Sequence, residues 1–264
     1  MKKFILILTT LALVLSLAAC GDKGEVSPSP DLSPSPSGSP SLEPSEEPST
    51  EPSVEPTLPP PDYTYDSGNI IVENREGAEI YYPVFSSDVY PDGAAAANEY
   101  FESRAWRTAE GFIADAEEMG EDEHYSIEQG YSVWYEHGEY ASVLVSIWKD
   151  YGGVHPGVEH SGHTVNFAEG TLVTLYDLFN ADEESVRERI LDEIIAQLPE
   201  REELYEDAED AAREHFDPEN FYLDDEGIVV FYQVYDLGPY VVGAQFFTIR
   251  YENLDGLADW VIHA

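Results

Sequence analysis

Apolar positions along the chain change period several times, and each change marks an element. Phe4 to Leu17 is a solid apolar run, interrupted only by Thr9, Thr10 and Ser16. No apolar period follows until about residue 63. Asn69–Val72 and Glu79–Phe85 then read as two strands about an Arg75-Glu76-Gly77 turn. Pro83 places the second at a sheet edge or near its own end. From about Ala94 to Glu118 the period lengthens to a helical one, carried by Ala97, Phe101, Ala105, Phe112 and Ala116, with Asp92 as the expected cap.

Alternation returns in Tyr125–Tyr135 and Tyr140–Trp148, around His137-Gly138. Tyr125, Ile127, Tyr131 and Val133 share one face of the first strand, and Ala141, Val143, Val145 and Ile147 one face of the second. A two-residue loop pairing Glu136 with Glu139 would set those faces on opposite sides of the sheet. A three-residue or bulged turn, with Gly138 at positive φ and Glu136 opposite Tyr140, brings them together and is the expectation. Val158–Phe167 and Thr171–Val173 predict another hairpin around Glu169-Gly170.

A helix capped by Asn180, with Glu183 in the box position, buries Val186, Ile190, Ile194 and Leu198 and stops at Pro199. A second acidic helix is expected over Arg201–His215. The chain closes with Phe221–Leu223, a turn at Asp225-Glu226-Gly227, strands over Ile228–Tyr235 and Ala244–Tyr251, and a short helix around Leu254–Trp260. Strands and helices mix without regular βα alternation. The fold class is therefore α+β: a largely antiparallel β-sheet packed with one long N-terminal helix and an acidic helical pair.

The ends of the apolar run at residues 4–17 say where the chain goes. Lys2 and Lys3 precede it, and Leu17-Ala18-Ala19-Cys20-Gly21 follows it. The run is too short for a spanning helix but suits a secretory signal. Cys20, the single cysteine in 264 residues, falls where a bacterial lipoprotein signal requires it. Residues 1–19 are thus expected to be a signal peptide. Cys20 is then the lipidated N-terminus, anchored to the outer face of the cell membrane. An extracytoplasmic site argues against ATP- or nicotinamide-dependent chemistry.

Residues 20–62 are expected to be a disordered Pro/Ser/Glu-rich spacer, holding 12 of the 18 prolines. Residues 63–264 form the folded module, with an N-terminal part over 63–150 and a C-terminal part over 151–264. The 54 Asp+Glu against 12 Lys+Arg give a net charge of −42. About 45 of the acids and 9 of the bases lie in the module, so the charge belongs to the folded part too. That balance excludes nucleic acid as a partner.

Several motifs are distinctive in combination. They are Tyr151-Gly152-Gly153-Val154-His155-Pro156, Asn166-Phe167, Leu175-Tyr176-Asp177-Leu178-Phe179, Phe221–Phe231 and Tyr235-Asp236-Leu237-Gly238-Pro239-Tyr240. Together they resemble the RsiV-like extracellular domain of lysozyme-binding anti-sigma factors, also found beside peptidoglycan deacetylases and in envelope lipoproteins of Gram-positive bacteria. The likeness covers about Tyr63–Ala264 and is loose before Tyr125. It implies binding rather than catalysis, with lysozyme or another cationic wall-active protein as partner. No sigma-binding segment is expected, so the resemblance carries over no transcriptional output. The acidic surface independently favours a basic partner.

Tyr151, Gly152, Gly153, His155 and Pro156 in one loop, and Asp236, Pro239 and Tyr240 in another, are the expected partner-binding residues. Each loop joins a rigid Gly/Pro turn to an aromatic. The alternative is a peptidoglycan-binding module without catalysis, using aromatics such as Tyr131, Trp134, Tyr140 and Trp148, although sheet packing is their simpler role. His155, His160 and His163 could in principle hold zinc, but His160 and His163 point to opposite faces of a strand. Asp224-Asp225-Glu226-Gly227 reads as a hairpin turn, not a calcium loop. No catalytic motif stands out, and no enzyme activity, cofactor or metal is expected.

Overall fold

A computed structural model describes residues 59–72, 78–120 and 125–263. The signal, Cys20 and most of the spacer lie outside the described residues, as does the Arg75-Glu76-Gly77 turn. Six strands form the first sheet, in the order β1 (Thr64–Ile71), β2 (Ala78–Ser86), β3 (Ser126–His137), β4 (Tyr140–Asp150), β5 (Gly157–Asn166) and β6 (Thr171–Val173). It thus takes two strands from beyond residue 150. A helix, α1 (Pro91–Met119), crosses from β2 to β3, so those two strands run parallel; every other pair is antiparallel. They pair only over Ala78–Ile80, and Pro83 lies in the stretch of β2 that pairs with β1 alone.

Beyond that point the inner edge of β2 is closed by a side chain. Asn98 on α1 accepts a bond from the Phe85 amide (2.7 Å) and donates one to its carbonyl (2.9 Å), as a neighbouring strand would. Asn98→Ala leaves both groups unpaired, and denaturant titration should read a loss of about 2–3 kcal/mol.

The helical stripe is buried as its spacing requires. Ala97, Phe101, Ala105, Ala109 and Phe112 pack on Phe85, Ile80, Ile127, Val143 and Val145, and Ala116 is buried too. Asp92 does not cap α1. The helix starts one turn earlier, with Pro91 at its first position and Tyr90 as a cap without a side-chain bond. Between β3 and β4 the body of the register is the expected one, with Tyr131 opposite Val145 and Val133 opposite Val143. The extra residue sits elsewhere. The loop is the two residues Gly138 (φ +52°) and Glu139, Glu136 faces Ala141, and a bulge at Trp134 realigns the faces.

A second sheet of β7 (Phe221–Leu223), β8 (Gly227–Tyr232) and β9 (Gln245–Arg250) covers the other face of the first. The reason lies in β8, where all six positions are buried. Val229 and Phe231 meet Leu144 of the first sheet, while Ile228, Val230 and Tyr232 meet the helices behind. A strand apolar at every position needs cover on both faces. That produces two sheets rather than one, sandwiched between α1 and the pair α2 (Glu183–Gln197) and α3 (Ala208–Glu214).

Val186, Ile190, Ile194 and Leu198 are buried in this rear core. Asp182, not Asn180, caps α2, accepting from the Ser185 amide at 3.0 Å, and these bonds hold its carboxyl below the usual range. Asn180 instead ties to the Gly256 and Leu257 carbonyls. Arg201–Asp207 is not helical as expected. Arg201 reaches β9, bonding the Phe246 carbonyl and lying 4.7 Å from the Phe247 ring centroid, and Glu203 takes a left-handed φ of 63°. The terminal helix, α4, covers Asp259–His263. Among the described residues no helix is long and apolar enough to cross a membrane.

Candidate functional site

The two loops singled out in the sequence meet in space. In the first, the Asp150 carboxylate accepts from the Gly152 amide (2.8 Å), and Gly152 takes a φ of +71° that turns the chain toward β5. Tyr151 faces inward. Its ring stacks on Phe112 (5.6 Å, 27°) and its hydroxyl donates to Asp115 Oδ2 at 3.0 Å. Burial and that carboxylate push its pKa up. Tyr151 therefore holds the foot of the loop, and the exposed His155 and Val154, 92% exposed, form its tip.

The second loop leaves β8 at Gln233. That side chain accepts from the His160 amide (3.0 Å) and donates to the His160 carbonyl (2.8 Å), pinning the loop to β5. Asp236 closes a turn by accepting from the Gln233 amide at 2.6 Å. The turn forces Tyr235 to a φ of +77°, a conformation costing an L-residue on the order of 1–3 kcal/mol, with its side chain 54% exposed. Leu237 is buried and its carbonyl accepts from the Tyr205 amide. At Gly238 a Cβ would stand 2.5 Å from Val242 Cγ2 and 3.3 Å from the Glu203 carbonyl, so the backbone can come this close only without a side chain. Exposed Pro239 then leads into a short 3-10 turn over Tyr240–Val242.

The His155 and Tyr240 rings stack at 4.1 Å and 14°, and Tyr235 adds a tilted contact to Tyr240 at 5.8 Å. Of the expected residues, His155 and Tyr240 are thus in direct contact. Gly152, Gly153 and Pro239 are exposed and Pro156 half-buried, while Tyr151 and Asp236 hold the two frames. Val154 and Tyr235, both within the two loop motifs, are exposed beside the expected residues, and so is Val241 (78% exposed), which lies just past the second motif. A large apolar residue beside a glycine or a fixed turn was the available signal.

The other two histidines go elsewhere. His160 bonds Ser146 (2.9 Å) and meets Phe231 and Phe246 edge-on, and burial lowers its pKa. His163, on the opposite face of β5, lies under α1 against Phe101, with Tyr100 at Nδ1 (3.1 Å) and Ser161 at Nε2 (3.0 Å). Burial first, and the Arg104 charge second, push it down to about 3 from 6.5. Between those values the unfolded chain binds a proton that the folded one does not, so stability rises with pH and is lost as pH falls from 6.5 toward 3. In acid melts His163→Gln should flatten that slope relative to the native chain.

Trp134 is 49% exposed beside Tyr222, and Tyr140 stacks on Trp260 at 4.1 Å. Asp224 Oδ1 accepts from the Glu226 and Gly227 amides, both at 2.8 Å, making the hairpin turn read from the sequence.

Two stacked sheets between helices, with two fixed aromatic loops in contact, define the class of this α+β domain. Residues 176–252 match the family described as "Protein of unknown function (DUF3298)", and this stretch is a DUF3298 domain. It contains α2, α3 and the whole second sheet, with the Asp236–Tyr240 loop but not the Tyr151–Pro156 loop. A DUF3298 family member from Bacteroides fragilis is similar in structure, with 20% identity and a TM-score of 0.52, covering 76% of this chain and 96% of its own. A DUF3298 family protein from Pseudomonas aeruginosa is 15% identical with a TM-score of 0.54, covering 75% and 94%. These likenesses concern the fold. No curated protein matches.

Proposed function

We propose that the chain is a lipid-anchored envelope protein of RsiV-like type. Its paired loops bind lysozyme or another cationic wall-active protein without catalysis. The observation carrying this reading is the His155–Tyr240 stack, which joins two distant loops into one aromatic cluster, exposed at His155 and Tyr235 and half-buried at Tyr240. Aromatics held rigid on a frame are what a hot spot needs, because little entropy is lost on docking. The net charge of −42 supplies the steering. Attraction of that kind speeds association and weakens with salt. Titration with a C-type lysozyme should therefore give saturable binding at low ionic strength that declines as salt is added. Absence of binding at low salt overturns the lysozyme reading.

A second reading, a peptidoglycan-binding module, is favoured by one feature. Where β2 and β3 part, an open groove of about 390 Å³ is lined by Tyr65, Tyr81 and Tyr131. Exposed tyrosine faces suit sugar rings. Co-sedimentation with purified wall, lost in Tyr81→Ala, separates it from the first.

A further inference from the structure

Arg104 on α1 is placed unlike most bases of this acidic chain. Lys149, Arg187, Arg213 and Arg250 each meet a glutamate, and Arg189 and Arg201 bond backbone carbonyls. Arg104 has no carboxylate partner among the described residues. Its Nη2 donates to Ser161 Oγ at 3.3 Å, and its guanidinium lies 5.8 Å from the Tyr100 ring centroid. It lines a cleft of about 260 Å³ whose other walls include Ser161, Leu172, Pro218 and the exposed acids Asp217 and Glu219.

The buried His163 sets the polarity of this cleft. With the Tyr100 hydroxyl donating to Nδ1, Nε2–H donates to Ser161 Oγ, which also accepts from Arg104. The serine hydrogen is then free to point into the cleft. The reverse tautomer would make Ser161 and His163 resemble a nucleophile and its base. The Arg104 charge beside the ring opposes the imidazolium such a base must become. The arrangement suits holding an anion rather than attacking a carbonyl.

We propose that this cleft binds a small zwitterion of the amino-acid or dipeptide class. Arg104 and Ser161 hold its carboxylate, Leu172 and Pro218 its apolar part, and Asp217 and Glu219 its ammonium group. A guanidinium with a neighbouring hydroxyl donor matches a carboxylate, and the flanking acids reject a second negative charge. The volume lies just below the ~300 Å³ lower end of ligand pockets, which suits roughly ten non-hydrogen atoms.

Calorimetric titration of the full chain tests this with alanyl-alanine, alanyl-alaninamide and succinate. The dipeptide should bind at least tenfold more tightly than either its amide or succinate. Arg104→Gln should weaken it at least tenfold, Arg107→Gln less than twofold, and Glu219→Gln should narrow the gap to succinate. Where Arg104→Gln does not fold by circular dichroism, the dipeptide–amide comparison on the native chain decides. No saturable dipeptide binding, equal binding of the amide or succinate, or indifference to Arg104→Gln in a folded variant overturns the proposal.

Discussion

Gly162→Ala should be among the most destabilising single changes in the molecule, costing about 3 kcal/mol or more by denaturant titration. Gly162 lies on the face of β5 that meets the second sheet, and β7 passes directly over it. A Cβ there would stand 1.6 Å from the Phe221 carbonyl oxygen and 2.5 Å from its carbon. Backbone atoms, unlike the end of a flexible side chain, cannot swing away, so the sheets must separate locally. Separation would also strain the bond in which the buried Ser142 hydroxyl accepts from the Leu223 amide at 2.9 Å, the polar tie across the same seam. Gly130→Ala in β3 is the control: nothing lies within 4 Å of its Cβ, and a change under about 1 kcal/mol is expected. Equal stabilities for the two variants would refute this account of the seam.

Much of the fold was legible in the sequence because burial imposes period. The stripe from Ala97 to Ala116 and that from Val186 to Leu198 could be read directly, since each helix buries one face only, the first over two adjoining clusters and the second in one. The β3–β4 register followed from the need to put Val133 and Val143 on one side. What was not legible is what distant segments decide. Whether an extra residue enters at a turn or at Trp134 depends on packing over both faces of β3. Arg201–Asp207 has helical composition, but β9 and the Leu237 carbonyl hold it in another shape. The second sheet was implicit in the unbroken run Ile228–Tyr232, although the run does not say what covers it. At the site, both loops stood out by residue type. Their contact could not, because some eighty residues separate His155 from Tyr240 and only the fold joins them.

Tyr240→Ala should carry the largest effect on binding. Tyr240 sits between His155 and Tyr235, so truncation removes one aromatic and leaves the other two without their common neighbour. Loss of a central interface aromatic costs about 2 kcal/mol or more, equivalent to roughly thirtyfold in affinity. Stability should hardly change, because Tyr240 belongs to no core cluster and the loop is pinned by Gln233, Asp236 and Leu237. Binding and folding are thus separable at this residue. The most direct measurement is calorimetric titration of a C-type lysozyme with the native chain and with Tyr240→Ala, side by side at low ionic strength. The account predicts saturable binding by the first and at least tenfold weaker binding by the second, with matching thermal melts. No binding by the native chain, or equal affinities for the two, would contradict it.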